Sequence, residues 1–186
     1  MKSIWNRIET WLAANAPEVL QGLNPPATQA QIASAEAALG VTFPRPLVET
    51  FLIHNGQTPD SPYLLDGWEL LSLDRIVEEW EVWKDLLDGG DFEENESDTD
   101  GHTVPDWWSP KWIPLTYSGG GDHDCLDLQP GPLGTVGQII RMWHDGPSRE
   151  VVAPGVREWL TTFANGLEAG RYILSDEYGG IVERDA

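Results

Sequence analysis

A single cysteine, Cys125, in 186 residues excludes an internal disulfide and a cysteine-only zinc site, and it fits a reducing compartment. Long hydrophobic runs are missing as well. No stretch reaches the roughly 18 apolar residues a membrane helix needs, and the amino-terminal segment alternates polar and apolar residues, unlike a signal peptide. A soluble, cytoplasmic protein is the expectation. Basic residues are scarce: 11 Lys and Arg stand against 31 Asp and Glu, for a formal net charge of −20. That balance argues against nucleic acid and anionic membranes as partners, because binding them requires cations that displace counterions. It favours a basic protein partner, whose association a focused negative field accelerates about 10- to 1000-fold at low salt. Acidity of this kind also keeps a protein in solution with no partner involved. No fixed-period repeat is present, which excludes solenoids and propellers.

What the chain has in quantity is tryptophan, ten in all. Each can bury roughly 150–250 Å². Together with an apolar share of 40%, they argue for a packed core in one domain spanning residues 1–186. Trp5, Trp11, Trp80, Trp83 and Trp159 fall on apolar helix stripes and read as core. The spacing predicts a helix over 3–15 ended by Pro17, then one capped by Thr28 that runs to Leu39 and Gly40. A third starts at Pro44-Arg45-Pro46 and stops at Asn55-Gly56. Tyr63–Leu65 and Trp68–Leu71 read as a hairpin about Asp66-Gly67. A helix capped by Ser72 follows and ends at Gly89-Gly90. Val136–Trp143 reads as a strand and Pro154–Ala169 as the last helix. Residues 171–174 and 181–182 either add a short terminal strand or lie along the surface. Helices first, strands in the middle and a helix last give an α+β fold, with a central, mainly antiparallel sheet flanked by helices.

The stretch Trp112 to Leu128 organises this pattern. It turns through Gly119-Gly120-Gly121-Asp122 and leaves as an alternating strand, with Asp124, Leu126 and Leu128 on one side and His123, Cys125 and Asp127 on the other. Each chemistry it could carry meets an obstacle. A calcium loop started at Asp122 places Leu126, Asp127 and Leu133 where oxygen ligands and glycine belong, although a different metal site using His123, His144 or Asp145 stays open. Asp124 and Asp127 disfavour the thiolate that a His123–Cys125 pair would need. The triple glycine leads into a strand rather than a helix, against a phosphate cradle. Paired carboxylates for glycoside hydrolysis stay open, because their separation is not readable in sequence.

Between the Ser72-capped helix and this stretch lies a long loop, residues 88–110, with carboxylates from Asp88 to Asp106 and no Lys or Arg before Lys111. Loops of this length in compact domains are functional or disordered. Trp107-Trp108 stand at its end, bounded by Pro105 and Pro110, either as a lid on the core or as a partner anchor. Aromatic anchors beside a charged rim are the usual make-up of a binding hot spot. The candidate partner-binding residues are therefore Asp91, Glu93, Glu94, Glu96, Asp98, Asp100, Trp107, Trp108, Asp122, Asp124 and Asp127. No catalytic residue, metal ligand or cofactor is assigned.

Four motifs occur in order: Gly67-Trp68-Glu69-Leu70-Leu71-Ser72-Leu73-Asp74, the Trp112–Leu128 stretch, Gly134 with Gly137-Gln138-Ile139-Ile140, and Val152-Ala153-Pro154 followed by Glu158-Trp159-Leu160. Over about residues 25–170 the chain thereby resembles the SUKH superfamily, in particular its Smi/Knr branch of fungal cell-wall regulators and their bacterial relatives. The resemblance implies one α+β domain without established catalytic residues. It implies immunity proteins that neutralise a cognate toxin among bacterial members, and regulators of glucan synthesis among fungal ones. The short chain, without long disordered arms, favours the bacterial kind. The leading expectation is a non-enzymatic immunity-type module that binds a basic toxin domain. The alternative is a regulator or scaffold of cell-wall synthesis that binds a wall enzyme or glucan. A hydrolase using the glycine-turn carboxylates is the third reading.

Overall fold

Helix α1 (Lys2–Asn15) turns Ile4, Trp5, Ile8 and Leu12 to one side, one helical turn apart, and buries all four. The computed structural model describes residues 1–184. Pro17 does not simply end α1. It opens a further helix, α2 (Pro17–Gly22), where its fixed φ suits the first helical position. Helix α3 (Gln29–Leu39) carries the expected capping box between Thr28 and Gln31 and ends at Gly40 with φ +62°. Helix α4 (Arg45–Phe51) is shorter than its pattern predicts. Past it, the Asn55 side chain accepts from the Leu73 N–H, and that of Gln57 from the N–H groups of Leu64 and Leu70, so this segment is spent on joining the helices to the strands.

The predicted hairpin at 63–71 is reduced to a single bridge, Leu65–Trp68, around Asp66 and Gly67, both with positive φ. Strand β1 (Glu69–Leu70) instead pairs with β3 (Thr116–Tyr117), and Tyr63 bridges Gly180. Helix α5 (Leu73–Gly89) is capped by Ser72 and closed by Gly90 at φ +84°. The central sheet consists of β2 (Trp112–Pro114), β4 (His123–Asp127), β5 (Gln138–Met142) and β6 (Arg149–Ala153), in the order β2-β4-β5-β6 and antiparallel throughout. Helix α6 (Val156–Glu168) turns Val156, Trp159, Leu160, Phe163 and Leu167 inward. The terminal segment is a hairpin of β7 (Tyr172–Ser175) and β8 (Gly180–Glu183).

Both faces of the sheet are buried. Ile113, Leu126 and Ile139 join α1, α4 and α6 in the main core. Trp112, Cys125, Ile140 and Met142 meet Trp83 and Trp108 in a second core on the opposite face. Strand β4 is therefore covered on both sides, and no residue of it is exposed. The loop after α5 roofs the second core and is stitched down by backbone bonds from Ser97 to Pro105, from Asp98 to Pro147 and from Gly131 to His102. Among the described residues, no helix is long and apolar enough to cross a membrane.

Candidate functional site: an acidic, tryptophan-walled cleft

Trp83 points from α5 into the second core because it lies one turn beyond Trp80 and two beyond Ile76. Its ring stacks on Trp108 at 6.3 Å and on Phe92 at 5.6 Å, while Trp80 meets Trp108 edge-on at 6.1 Å. The Trp80 indole N–H donates to the Pro110 carbonyl at 3.0 Å, which ties the end of the loop to α5. Trp108 and Leu87 form the floor of an open cleft of about 520 Å³ between the end of α5 and the loop, with Trp80 and Trp83 packed behind Trp108. Phe92, Pro105, Trp107 and Pro110 supply its apolar walls, and Asp88, Glu93, Glu96 and Asp106 its rim.

Glu96 and Asp106 are opposite each other in an isolated antiparallel bridge, which brings two exposed carboxylate side chains to the same part of the rim. Among the described residues, Asp91, Glu93, Glu94, Glu96, Asp98 and Asp106 form no ion pair. Asp88 pairs with Lys84, and Asp100 accepts from the His102 ring at 2.7 Å, which holds its pKa below the usual range. Several other cations are engaged elsewhere: Arg75 with Glu69, Glu78 and Glu79, Arg7 with Glu168, Arg45 with Glu49 and Arg141 with Asp124. What remains is unneutralised negative charge around a hydrophobic floor. That arrangement suits a lysine or arginine side chain, whose stem packs on rings while its head meets carboxylates.

The loop is held in place by Arg149, which nothing in the sequence singled out. Its Nη1 donates to the carbonyls of Trp143, Gly146 and Ser148, and its Nη2 to that of Trp107 at 2.6 Å. The guanidinium lies over the Trp107 and Trp112 rings at 5.2 and 5.7 Å. Burial lowers its pKa to about 10, so it remains a cation at neutral pH.

Of the predicted site residues, Asp91, Glu93, Glu94, Glu96, Asp98 and Asp100 are exposed on the loop, and Trp107 is half-buried at the cleft. Trp108, at 2% exposure, stacks under Trp83 in the second core and lines the cleft from beneath. Asp124 and Asp127 are corrections, because the sheet is covered on both faces. Asp124 receives Nε and Nη2 of Arg141 at 2.9 and 3.2 Å. Asp127 accepts from the Gln138 side chain and the Gln129 N–H, both at 2.9 Å. Burial raises the pKa of both carboxyls despite these partners. Asp122 lies outside the cleft. Partial burial pushes its pKa up, but bonds from His144 and Ser118 outweigh that and hold it low.

The chemistry left open at the glycine turn narrows. His123 is fully buried. Its Nδ1–H donates to the Thr116 carbonyl at 2.6 Å, and its Nε2 accepts the Trp83 indole N–H at 3.3 Å. Burial lowers its pKa to about 4, so it is neutral at pH 7. Burial also pushes the Cys125 thiol well above its ordinary range, so a thiolate is disfavoured. Asp122, His144 and Asp145 bring one ligand atom each within 4.8 Å and could hold a cation. Hydrogen bonds within the two turns already account for the contact between Asp122 and His144.

Residues 26–162 match the SMI1/KNR4 family (SUKH-1). The cell wall assembly regulator SMI1 of Saccharomyces cerevisiae is 30% identical over 93% of this chain and 41% of its own length. The cell wall biosynthesis/cell cycle regulator smi1 of Schizosaccharomyces pombe is 30% identical over 93% of this chain and 37% of its own. A glucan synthesis regulatory protein of Neurospora crassa is 27% identical over 98% and 41%. The chain thus spans about two-fifths of the length of these relatives. It belongs to the SMI1/KNR4 family.

Proposed function

We propose that this member of the SMI1/KNR4 family is a non-catalytic, protein-binding module that regulates cell-wall synthesis and docks a basic segment of its partner in the acidic, tryptophan-walled cleft. The observation that carries the proposal is the cleft itself: Glu93, Glu96 and Asp106, which form no ion pair among the described residues, stand around an apolar floor, with Glu96 and Asp106 opposite each other in a bridge. The names of the relatives support the regulatory reading over the other classes, since they describe regulators of wall assembly and glucan synthesis. An enzyme is disfavoured by the glycine turn, where the histidine is neutral and buried, the thiol is hard to ionise, Asp127 is fully buried and Asp124 is held by Arg141.

A second reading rests on the charge alone. A net charge of −20 would equally suit an immunity protein that blocks a basic toxin domain. Affinity capture from the native host separates the two. Wild-type protein and a variant with Asp91, Glu93, Glu94 and Glu96 changed to Asn or Gln serve as baits, and retained proteins are identified by mass spectrometry. A wall-synthesis or wall-signalling protein retained only by the wild type supports the regulator. A toxin domain retained the same way supports the second reading. Equal retention by both baits contradicts the cleft as the docking site.

A further inference from the structure

Strand β6 (Arg149–Ala153) is the end strand of the central sheet, and among the described residues its backbone hydrogen-bonds only to β5. Sheet edges that must stay unpaired are commonly guarded by lysine, proline, inward charges or bulges; β6 carries a register shift near its end but neither lysine nor proline. Here the middle of the strand is Glu150-Val151-Val152, exposed, with each valine at 41%. The lateral place beside it is already filled at one end. The Asp98 N–H donates to the Pro147 carbonyl at 2.8 Å, and Asp98 forms a parallel bridge with Ser148. The loop then turns away through Thr99 and Thr103, whose hydroxyls bond to each other. The slot beyond Ser148 is left open.

We propose that β6 accepts an extended segment of a partner protein as an added strand, with apolar residues toward α6 and lysine or arginine toward the acidic loop. A register shift makes Val152 an extra residue between the Ile140–Val151 and Ile139–Ala153 pairs, so Val151 lies on the Ile140 side of the sheet while Val152 turns toward α6, and an added strand has these two sides to meet. On the Val152 side is a pocket of about 100 Å³ walled by Trp159, Phe163 and Tyr172, with the Arg141–Asp124 pair lining it. It has room for one aliphatic side chain. On the Val151 side the sheet carries the acidic loop, with Asp98 adjacent. The exposed charge near the edge is negative, from Asp98, Asp145 and Glu150. The nearby cations are occupied: Arg149 on backbone carbonyls, Arg141 on Asp124 and Arg157 on Glu49. A second copy of this chain is the wrong occupant, because strand-to-strand pairing would bring together two molecules of net charge −20. This surface is independent of the cleft.

The test uses an amidated, acetylated Val-Lys-Val-Lys-Val-Lys peptide, the same peptide with alternate amides N-methylated, and a Val-Glu counterpart, each titrated into 15N-labelled full-length protein. The expected result is shifted resonances and several-fold slower amide exchange at Glu150–Val152 with the Val-Lys peptide only. Val151→Lys together with Val152→Lys should abolish that response. Three results would overturn the proposal: shifts confined to residues 91–107, an equal response to the N-methylated peptide, or a dimer paired through β6 in sedimentation of the protein alone.

Discussion

Arg149 illustrates how one residue can fix a loop. It is a buried cation with no carboxylate near it, whose Nη1 and Nη2 donate to four carbonyls from the two segments it joins, while its Nε has no partner among the described residues. Arg149→Met would leave those carbonyls without a donor, and urea unfolding should show a loss of about 2–4 kcal/mol. The adjacent tryptophans should separate in the same assay. Trp108→Ala opens the second core and should cost about 3–5 kcal/mol, as large-to-small aromatic substitutions do. Trp107→Ala should cost about 1 kcal/mol, yet weaken partner binding about 30-fold or more if Trp107 is the anchor. His123 makes a pH prediction. Its folded pKa lies near 4, below the ordinary value of 6.5, so only the unfolded chain takes up the proton as pH falls between these values. Its contribution is complete above about pH 6.5 and declines below it, by about 1.4 kcal/mol per pH unit down to pH 4. Stability curves of wild type and His123→Gln should therefore diverge in slope over that window. Parallel curves would show that His123 does not titrate as described.

At the scale of elements, the loop between α5 and β2 was legible as acidic, long and ended by two tryptophans, but not as a structured roof. Its stitching depends on partners far along the chain, Pro147, Gln138 and Arg149, which no local pattern reveals. The strongly periodic helices were legible: the Thr28 box, the Ser72 cap and Gly90 all sit where their chemistry requires. Strand β6 was not, because its five residues become a strand only by pairing with β5. Burial of both sheet faces was hidden for a related reason. Alternation in His123–Asp127 suggested one wet face, whereas the second tryptophan-rich core covers Asp127 on the Cys125 side and α6 covers Asp124 on the Leu126 side. Hydrogen exchange checks this arrangement. The Asp98 amide and those of β4 and β5 should be protected, while Glu94 exchanges freely. Uniform rapid exchange across 91–106 would mean that the loop is not stitched to the sheet.

For the molecule as a whole, the arrangement of charge matters more than its total. Arginines in the amino-terminal half and around α6 are matched to carboxylates, whereas the surface over the second core is left negative. That asymmetry gives an approaching basic segment a direction, and the aromatic floor gives it somewhere to bury its stem. The relatives named as cell wall regulators share this region of about two-fifths of their length. The most direct test is the association rate of the captured partner as a function of ionic strength. The rate should fall at least tenfold from 50 to 500 mM salt, and the loop-neutralised variant should lose most of that dependence. A rate indifferent to salt, or a variant with the wild-type slope, would contradict docking at the acidic cleft.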